Sequence, residues 1–280
     1  MRNILITLAL LAGIVHAEPA VMVYNLQTNQ AVVSQNADSV RPMASLTKLM
    51  TAMVILDRFS LSDKIATGKK SYVTVESLLE ELLVQSSNSA AERLAKAYPK
   101  GRPAFLEAMN NKATAGGLYQ TQFNDPSGLI ATNTTTAREL VKMVSMASAY
   151  ETIRNISSQS AIYRHNKNKT VALDNTNKTI LQEFHNIRIS KTGTTTPAGR
   201  CLAMLVDKGG QQYVIIILGE SSKQVRDNVA RHLLQTKYFY EQSNTETKIK
   251  SLIEQDLEAQ SRYYTGSAQT WSIHPQYVRR

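Results

Sequence analysis

The apolar residues of this chain change their period three times. Residues 21–33 carry two short β-prone runs, Val21-Met22-Val23-Tyr24 and Ala31-Val32-Val33, on either side of the polar stretch Gln27-Thr28-Asn29-Gln30. That pattern predicts a hairpin. From Ser45 onward, Leu49, Met50, Met53, Val54 and Leu56 recur at helical spacing. Val75, Leu78, Leu79, Leu82 and Leu83 form a second helical stripe, and Ala90, Ala91, Leu94 and Ala95 a third. Residues 103–115 form another helix pattern, closed by Gly116-Gly117. Thr136-Ala137-Arg138-Glu139 fits a capping box ahead of Leu140, Val141, Met143 and Val144. Strand patterns then return, first at residues 187–190. Two continuous apolar runs follow at 202–206 and 213–218, parted by Lys208-Gly209-Gly210. Val225, Val229, Leu233 and Leu234 mark a last long helix. Strands near both ends with helices between them predict an α+β fold. Its antiparallel sheet is flanked by helices and carries an inserted helical subdomain.

The 280 residues suffice for one large domain, and 42% hydrophobic against 19% charged residues calls for a packed core. Arg2, the apolar residues 4–15 and Val15-His16-Ala17 read as an export signal cleaved after Ala17. The run is too short to span a bilayer, so an uncleaved anchor is the weaker reading. The expected organisation is a signal peptide over 1–17, a catalytic domain over 18–243 and a tail over 244–280. The tail holds one amphipathic stretch, Ile249, Leu252, Ile253 and Leu257. A cleaved signal places the protein in the periplasm. Cys201 is the only cysteine and sits in the apolar run Cys201-Leu202-Ala203-Met204-Leu205-Val206. It therefore reads as a core residue, not a nucleophile. A net charge of +10 favours polyanions, among them wall polymers and anionic lipid head groups. Peripheral association with the wall or membrane is expected. Nucleic acid is not, because no nucleic-acid motif accompanies the charge.

Three short motifs carry chemistry. Ser45-Leu46-Thr47-Lys48 is the only S-x-x-K in the chain, and it opens a helical pattern. Positions i and i+3 of a helix share a face, so the Lys48 amine can reach the Ser45 hydroxyl. A serine hydroxyl needs such a base before it attacks a carbonyl. A free lysine, with a pKa of about 10.4, is a poor base at neutral pH. Burial and a nearby cation would both lower that value, so a second lysine is expected close by. Ser86-Ser87-Asn88 lies where one helical stripe gives way to the next; read alone, it is a helix cap. Lys191-Thr192-Gly193 follows the strand pattern at 187–190, and its glycine permits close backbone approach to a ligand.

In this order the three motifs resemble the S-x-x-K, S-D-N and K-T-G signature of class A β-lactamases and penicillin-binding proteins, with Ser87 in place of the aspartate. The segment Pro42-Met43-Ala44-Ser45-Leu46-Thr47-Lys48-Leu49-Met50-Thr51-Ala52 resembles the nucleophile segment of the low-molecular-mass penicillin-binding proteins. Phe123-Asn124-Asp125-Pro126-Ser127-Gly128-Leu129 is similar to their turn after the helical subdomain. Residues 98–113 and 191–202 resemble the D-alanyl-D-alanine endopeptidase branch, and the whole resemblance spans roughly residues 20–240. It implies a penicillin-binding protein fold and a serine D,D-peptidase that acts on peptidoglycan peptides and is acylated by β-lactams. It also implies the roles. Ser45 is the nucleophile, Lys48 its base, and Ser86 a proton relay toward the leaving amine. Asn88 holds the substrate amide, Lys191 depresses the Lys48 pKa, and Thr192 binds the substrate carboxylate. Gly193 belongs to the same binding strand, and the N–H groups of Ser45 and Thr194 form an oxyanion hole. Arg226, eight residues past the apolar run that ends at Leu218, is either a further carboxylate ligand or a surface residue of the last helix.

No metal or organic cofactor is implied, and His165, His185, His232 and His274 show no ligand spacing. The stretch between Lys48 and Ser86 is short for the family, which predicts a missing or reshaped cleft wall. The tail is too short for the extra β-domain of the larger carboxypeptidases. D-alanyl-D-alanine carboxypeptidase activity is the nearest alternative. A β-lactamase is disfavoured because no E-x-x-L-N run lies between the second and third motifs. A non-catalytic β-lactam-binding module is disfavoured by the intact serine and lysines.

Overall fold

The structure, a computed structural model, describes residues 18–166 and 169–236. The expected signal peptide and the tail over 244–280 lie outside the described residues.

The first hairpin forms as the sequence predicts. Strand β1 (Ala20–Asn25) pairs antiparallel with β2 (Gln30–Gln35), Val23 opposite Val33. Asn25 turns the chain, its Oδ1 accepting from the N–H groups of Gln27 (2.9 Å) and Thr28 (3.1 Å). Asparagine favours turns through this kind of local bond.

Strand β3 (Arg41–Pro42) leads into a 3₁₀ turn, Ala44–Thr47, and then helix α1 (Lys48–Leu56). The helical pattern predicts an α-helix starting at Ser45; the first turn is 3₁₀ instead. Three residues per turn bring positions i and i+3 into eclipse, which stacks Lys48 over Ser45 more directly than an α-turn would. The apolar spacing of α1 also understates its burial. Every residue from Lys48 to Ile55 is buried, so α1 is a central rod, apolar on all sides but for Lys48 and Thr51.

Strands β4 (Lys64–Gly68) and β5 (Ser71–Thr74) form a small hairpin ahead of α2 (Val75–Leu83), α3 (Asn88–Ala97) and α4 (Gly101–Ala115). The predicted stripes of α2 and α3 are buried throughout. Strand β6 (Thr134–Thr135) pairs with β3 and precedes α5 (Ala137–Ser148). The predicted capping box closes on one side only. Thr136 Oγ1 accepts from Glu139 N (3.1 Å), but the Glu139 carboxylate turns away to accept from Gln120 N and Thr121 Oγ1. It satisfies a loop N–H that would otherwise lack a partner.

Helix α6 (Glu151–Ser157), hairpin β7 (Ala161–Asn166) with β8 (Lys169–Asp174), and helix α7 (Lys178–Glu183) follow. The chain then lays down β9 (Ile187–Thr195), β10 (Gly199–Lys208) and β11 (Gln211–Glu220), and ends the described fold with α8 (Lys223–Gln235). The main sheet runs β2-β1-β11-β10-β9, antiparallel throughout, with β9 at one edge.

Alternation along β11 explains why its apolar run is continuous. Val214, Ile216 and Leu218 enter the main core with Ala203 and Leu205, on the side of α1 and α5. Ile215 and Ile217 point to the opposite face. There α8 packs on β10 and β11 and buries Ala230, Leu233 and Leu234. Cys201 is fully buried in β10, as the sequence predicts, and burial pushes its thiol up to about 11. It is a packing residue. Helices on both faces and a helical insertion between the β1–β2 hairpin and β9 complete the α+β architecture.

Candidate active site

Lys48 Nζ is the hub of the site. It is fully buried and bonds to Ser45 Oγ, Asn88 Oδ1 and the Ser127 carbonyl, each at 2.7 Å. Burial lowers its pKa to about 7, against an opposing pull from the Asp125 carboxylate. At neutral pH a substantial fraction of the amine is therefore unprotonated. The partners dictate how that neutral amine sits. An amide oxygen and a peptide carbonyl can only accept, whereas a hydroxyl can also donate. The two N–H bonds of a neutral Lys48 go to Asn88 and Ser127, and its lone pair faces the Ser45 hydroxyl. This geometry can take a proton from Ser45 without any rearrangement.

The Ser127 carbonyl is held there by a loop that is stiff for chemical reasons. Asp125, 2% exposed, accepts at Oδ1 from Ser127 N (2.6 Å), Ser127 Oγ (2.8 Å) and Gly128 N (2.6 Å), and at Oδ2 from Ile130 N (2.7 Å). Burial alone would raise its pKa; these bonds overcome that and hold it below the usual carboxylate value. Fully buried Asn133 ties the loop to the nucleophile turn, donating to Thr47 Oγ1 (3.1 Å) and to the Asp125 carbonyl (2.9 Å). Gly128, at φ +79°, lies so close to the turn that a Cβ would stand 1.8 Å from the Ala44 carbonyl oxygen.

The second lysine is where the first one requires it. Lys191, 1% exposed on β9, donates to Ser86 Oγ and to the Thr192 carbonyl, both at 2.9 Å. Burial lowers its pKa well below that of a free lysine, and the like charges of Lys48 and Arg226 add to this. Burial is the first cause of the lowered pKa at both lysines, and the repulsion between their two charges disfavours having both protonated at once.

Ser86-Ser87-Asn88 turns out to be both helix cap and site. Ser87 caps α3, accepting from Ala90 N (3.2 Å), while Ser86 and Asn88 on either side of it reach the two lysines. Ser86 has φ +60°, a strained backbone for serine that persists only where the surroundings fix it. The α2–α3 link thus carries Ser86 and Asn88 to the two lysines.

Thr192 Oγ1 donates to Thr176 Oγ1 (2.6 Å), and Thr194 is exposed on the same strand. The close approach that Gly193 permits is to the chain itself. A Cβ there would sit 3.0 Å from both Ala44 Cβ and Met43 O, and 3.1 Å from Ser45 N. The missing side chain lets β9 press against the nucleophile turn and brings Ser45 N alongside Gly193.

Arg226 is not a surface residue. It is 3% exposed and bonds through Nε to Asp227 Oδ1 (2.9 Å). Lys223 Nζ holds the other Asp227 oxygen at 2.6 Å. Arg226 acts on Lys191 through its charge, and its own described side-chain bonds go to Asp227.

The motifs did not mark Asp125, the Ser127 carbonyl, Asn133 or Thr176. The first three lie in or beside the recognised turn Asp125-Pro126-Ser127-Gly128, whose sequence signals a turn but not what it touches. Thr176 has no local signal at all.

Comparison with known proteins gives the family and the fold. The chain is 35% identical over 225 residues to the D-alanyl-D-alanine endopeptidase of Escherichia coli (strain K12), covering 74% of this chain and 73% of that one. It is 24% identical over 263 residues to the D-alanyl-D-alanine carboxypeptidase DacF of Bacillus subtilis (strain 168), covering 84% and 67%. The fold matches penicillin-binding protein D2 from Listeria monocytogenes, solved in a cefotaxime-bound form. That match has a TM-score of 0.68 at 27% identity and covers 77% of this chain and 95% of that one. Residues 10–222 match the family model described as D-alanyl-D-alanine carboxypeptidase, and the chain belongs to this family of serine peptidases.

Proposed function

We propose that this protein is a periplasmic D,D-endopeptidase that cleaves D-Ala–diaminopimelate cross-links of peptidoglycan through an acyl-enzyme on Ser45. The observation that carries the reading is the position of Lys48 Nζ, 2.7 Å from Ser45 Oγ with its other two bonds ending on acceptors. Lys48 takes the hydroxyl proton as Ser45 attacks the D-Ala carbonyl. The oxyanion forms against the N–H groups of Ser45 and Thr194, a device worth ~10²–10³ in rate per donor. Ser86, bonded to Lys191, passes a proton to the leaving amine. Asn88 orients the substrate amide, and Thr192 with Arg226 receives the carboxylate end. Water then repeats the attack and frees Ser45. A β-lactam enters by the same first step and stays attached as the acyl-enzyme.

Two observations favour cross-links over terminal D-Ala as the substrate. The endopeptidase relative is more similar than the carboxypeptidase one, at 35% against 24% identity. A net charge of +10 also favours residence on a polyanionic wall, where high local concentration substitutes for tight binding. Export through the 1–17 signal and residues 244–280 as a separate tail complete the proposal. Among the described residues no helix is long and apolar enough to cross a membrane.

The deciding experiment offers purified cross-linked dimer muropeptides and pentapeptide monomers at equal concentration. Conversion of dimers to monomers is expected. Loss of the terminal D-Ala from pentapeptides while dimers persist would replace the endopeptidase reading with a carboxypeptidase one.

A further inference from the structure

Thr176 lies in the link between β8 and α7, a segment that no motif marks. Its two neighbours are locked in the interior. Asn175, 4% exposed, donates through Nδ2 to the carbonyls of Ser157 (3.2 Å) and Gln159 (2.9 Å). Asn177, 2% exposed, donates through Nδ2 to Ser190 Oγ (3.0 Å). Between them, Thr176 is exposed. Its N–H donates to the Val84 carbonyl (3.0 Å), two residues before Ser86. Its Oγ1 accepts from Thr192 Oγ1 at 2.6 Å. A single residue thus joins the α2–α3 wall to the β9 wall, beside the residues that touch Lys48 and Lys191.

The chemistry of a hydroxyl pair gives this contact a consequence. Each hydroxyl has one proton and two lone pairs. Thr192 commits its proton to Thr176, so the proton left to point outward belongs to Thr176, the exposed member. If the bond reverses, Thr192 offers the outward proton instead. In either sense the pair presents one O–H donor to the cleft and restricts both side chains. A threonine χ1 is otherwise divided between rotamers, and ordering it on binding would weaken affinity.

We propose that Thr176 is a positioning residue for ligand binding: it fixes the Thr192 hydroxyl, so that the pair presents one oriented O–H donor to a carboxylate or carbonyl oxygen of the peptide ligand. This rests on the reading of Thr192 as a ligand-binding residue.

The test uses the mature protein with dimer muropeptides as substrate. Wild type is compared with Thr176→Val, Thr176→Ser, Thr192→Val and the double variant Thr176→Val/Thr192→Val, with KM, kcat and Tm measured for each. Valine keeps the shape and removes the hydroxyl. Loss of one neutral hydrogen bond predicts a roughly 3- to 10-fold rise in KM for Thr176→Val, with a smaller change in kcat. Thr176→Ser should restore KM to within about twofold, since serine carries the same donor. The double variant should be no worse than the weaker-binding single variant, because the two hydroxyls act as one unit. If Thr192→Val raises KM and Thr176→Val does not, the inference about Thr176 is wrong and the reading of Thr192 stands. If Thr192→Val leaves KM unchanged, the reading of Thr192 fails first. A Thr176→Val variant that loses Tm, is not rescued by serine and adds independently to Thr192→Val would show a merely structural role and overturn the proposal.

Discussion

Lys48 Nζ and Ser45 Oγ lie 2.7 Å apart on one 3₁₀ turn, and the lysine's other two bonds end on oxygens that can only accept. The geometry requires an amine that can lose its proton. Arginine cannot do so in a protein. Lys48→Arg is therefore expected to abolish acylation by penicillin, read as loss of the single adduct in intact-mass spectra, as Ser45→Ala should. Lys191→Arg keeps a positive charge beside Ser86 and should retain part of the rate. Equal labelling of both variants would remove Lys48 as the base.

The pH dependence of acylation follows from the same amine. With a pKa of about 7, Lys48 is mostly protonated at pH 5 and mostly neutral at pH 9. Only the neutral form accepts the Ser45 proton, so the second-order acylation rate should climb through about pH 7 and then level. The Asp125 carboxylate favours the ammonium and holds this value up. Asp125→Asn removes that charge, so the rising limb should move to lower pH. The amide oxygen can still accept part of the loop's hydrogen bonds. A limb that stays in place, or moves to higher pH, would contradict the assignment of Lys48 to it.

How much of this was legible in the sequence depends on the range of each interaction. The β1–β2 hairpin, the stripes of α2 and α3 and the cap at Thr136 are local patterns and could be read directly. Ser45 with Lys48, Ser86, Asn88 and Lys191 could be assembled only because motif order stood in for distance. The turn at Asp125 was legible as a turn but not in what it touches, and the hairpins β4–β5 and β7–β8 and helix α7 were not legible. Their short polar segments, such as Ser71-Tyr72-Val73-Thr74, acquire structure from what they pack against. The burial of Arg226 beside Asp227 was equally hidden, because a helix face shows its environment only once the sheet beneath it is in place.

Gly128 should be irreplaceable for a reason separable from its backbone angle. Gly128 and Gly210 have similar positive φ values, +79° and +75°. A Cβ at Gly210 meets nothing within 4 Å, whereas one at Gly128 meets the Ala44 carbonyl oxygen at 1.8 Å. Gly210→Ala should lose about 1–2 kcal/mol, the strain of a left-handed L-residue, and keep penicillin labelling. Gly128→Ala adds a backbone clash that must push Ala44 and Ser45 out of line. Its labelling should fall much further than its stability alone explains. Chemical denaturation and labelling of the two variants side by side decide this, and equal labelling would show that Gly128 does not hold the nucleophile turn.

Arg226 combines two effects that substitution can pull apart. Its removal leaves Asp227, 3% exposed, with one cation in place of two. Breaking a fully buried pair typically costs ~3–5 kcal/mol. Lys223 still holds the second carboxylate oxygen, so Arg226→Ala should cost less than that. Arg226→Ala/Asp227→Asn also removes the buried carboxylate that has lost one of its two cations, and should recover part of the lost Tm. Binding should not recover with it, since the cation offered to the substrate carboxylate is absent from both variants. KM for muropeptide should therefore rise in Arg226→Ala and stay raised in the double variant, while penicillin labelling persists. A KM that returns to the wild-type value together with Tm would make Arg226 a partner of Asp227 and nothing more.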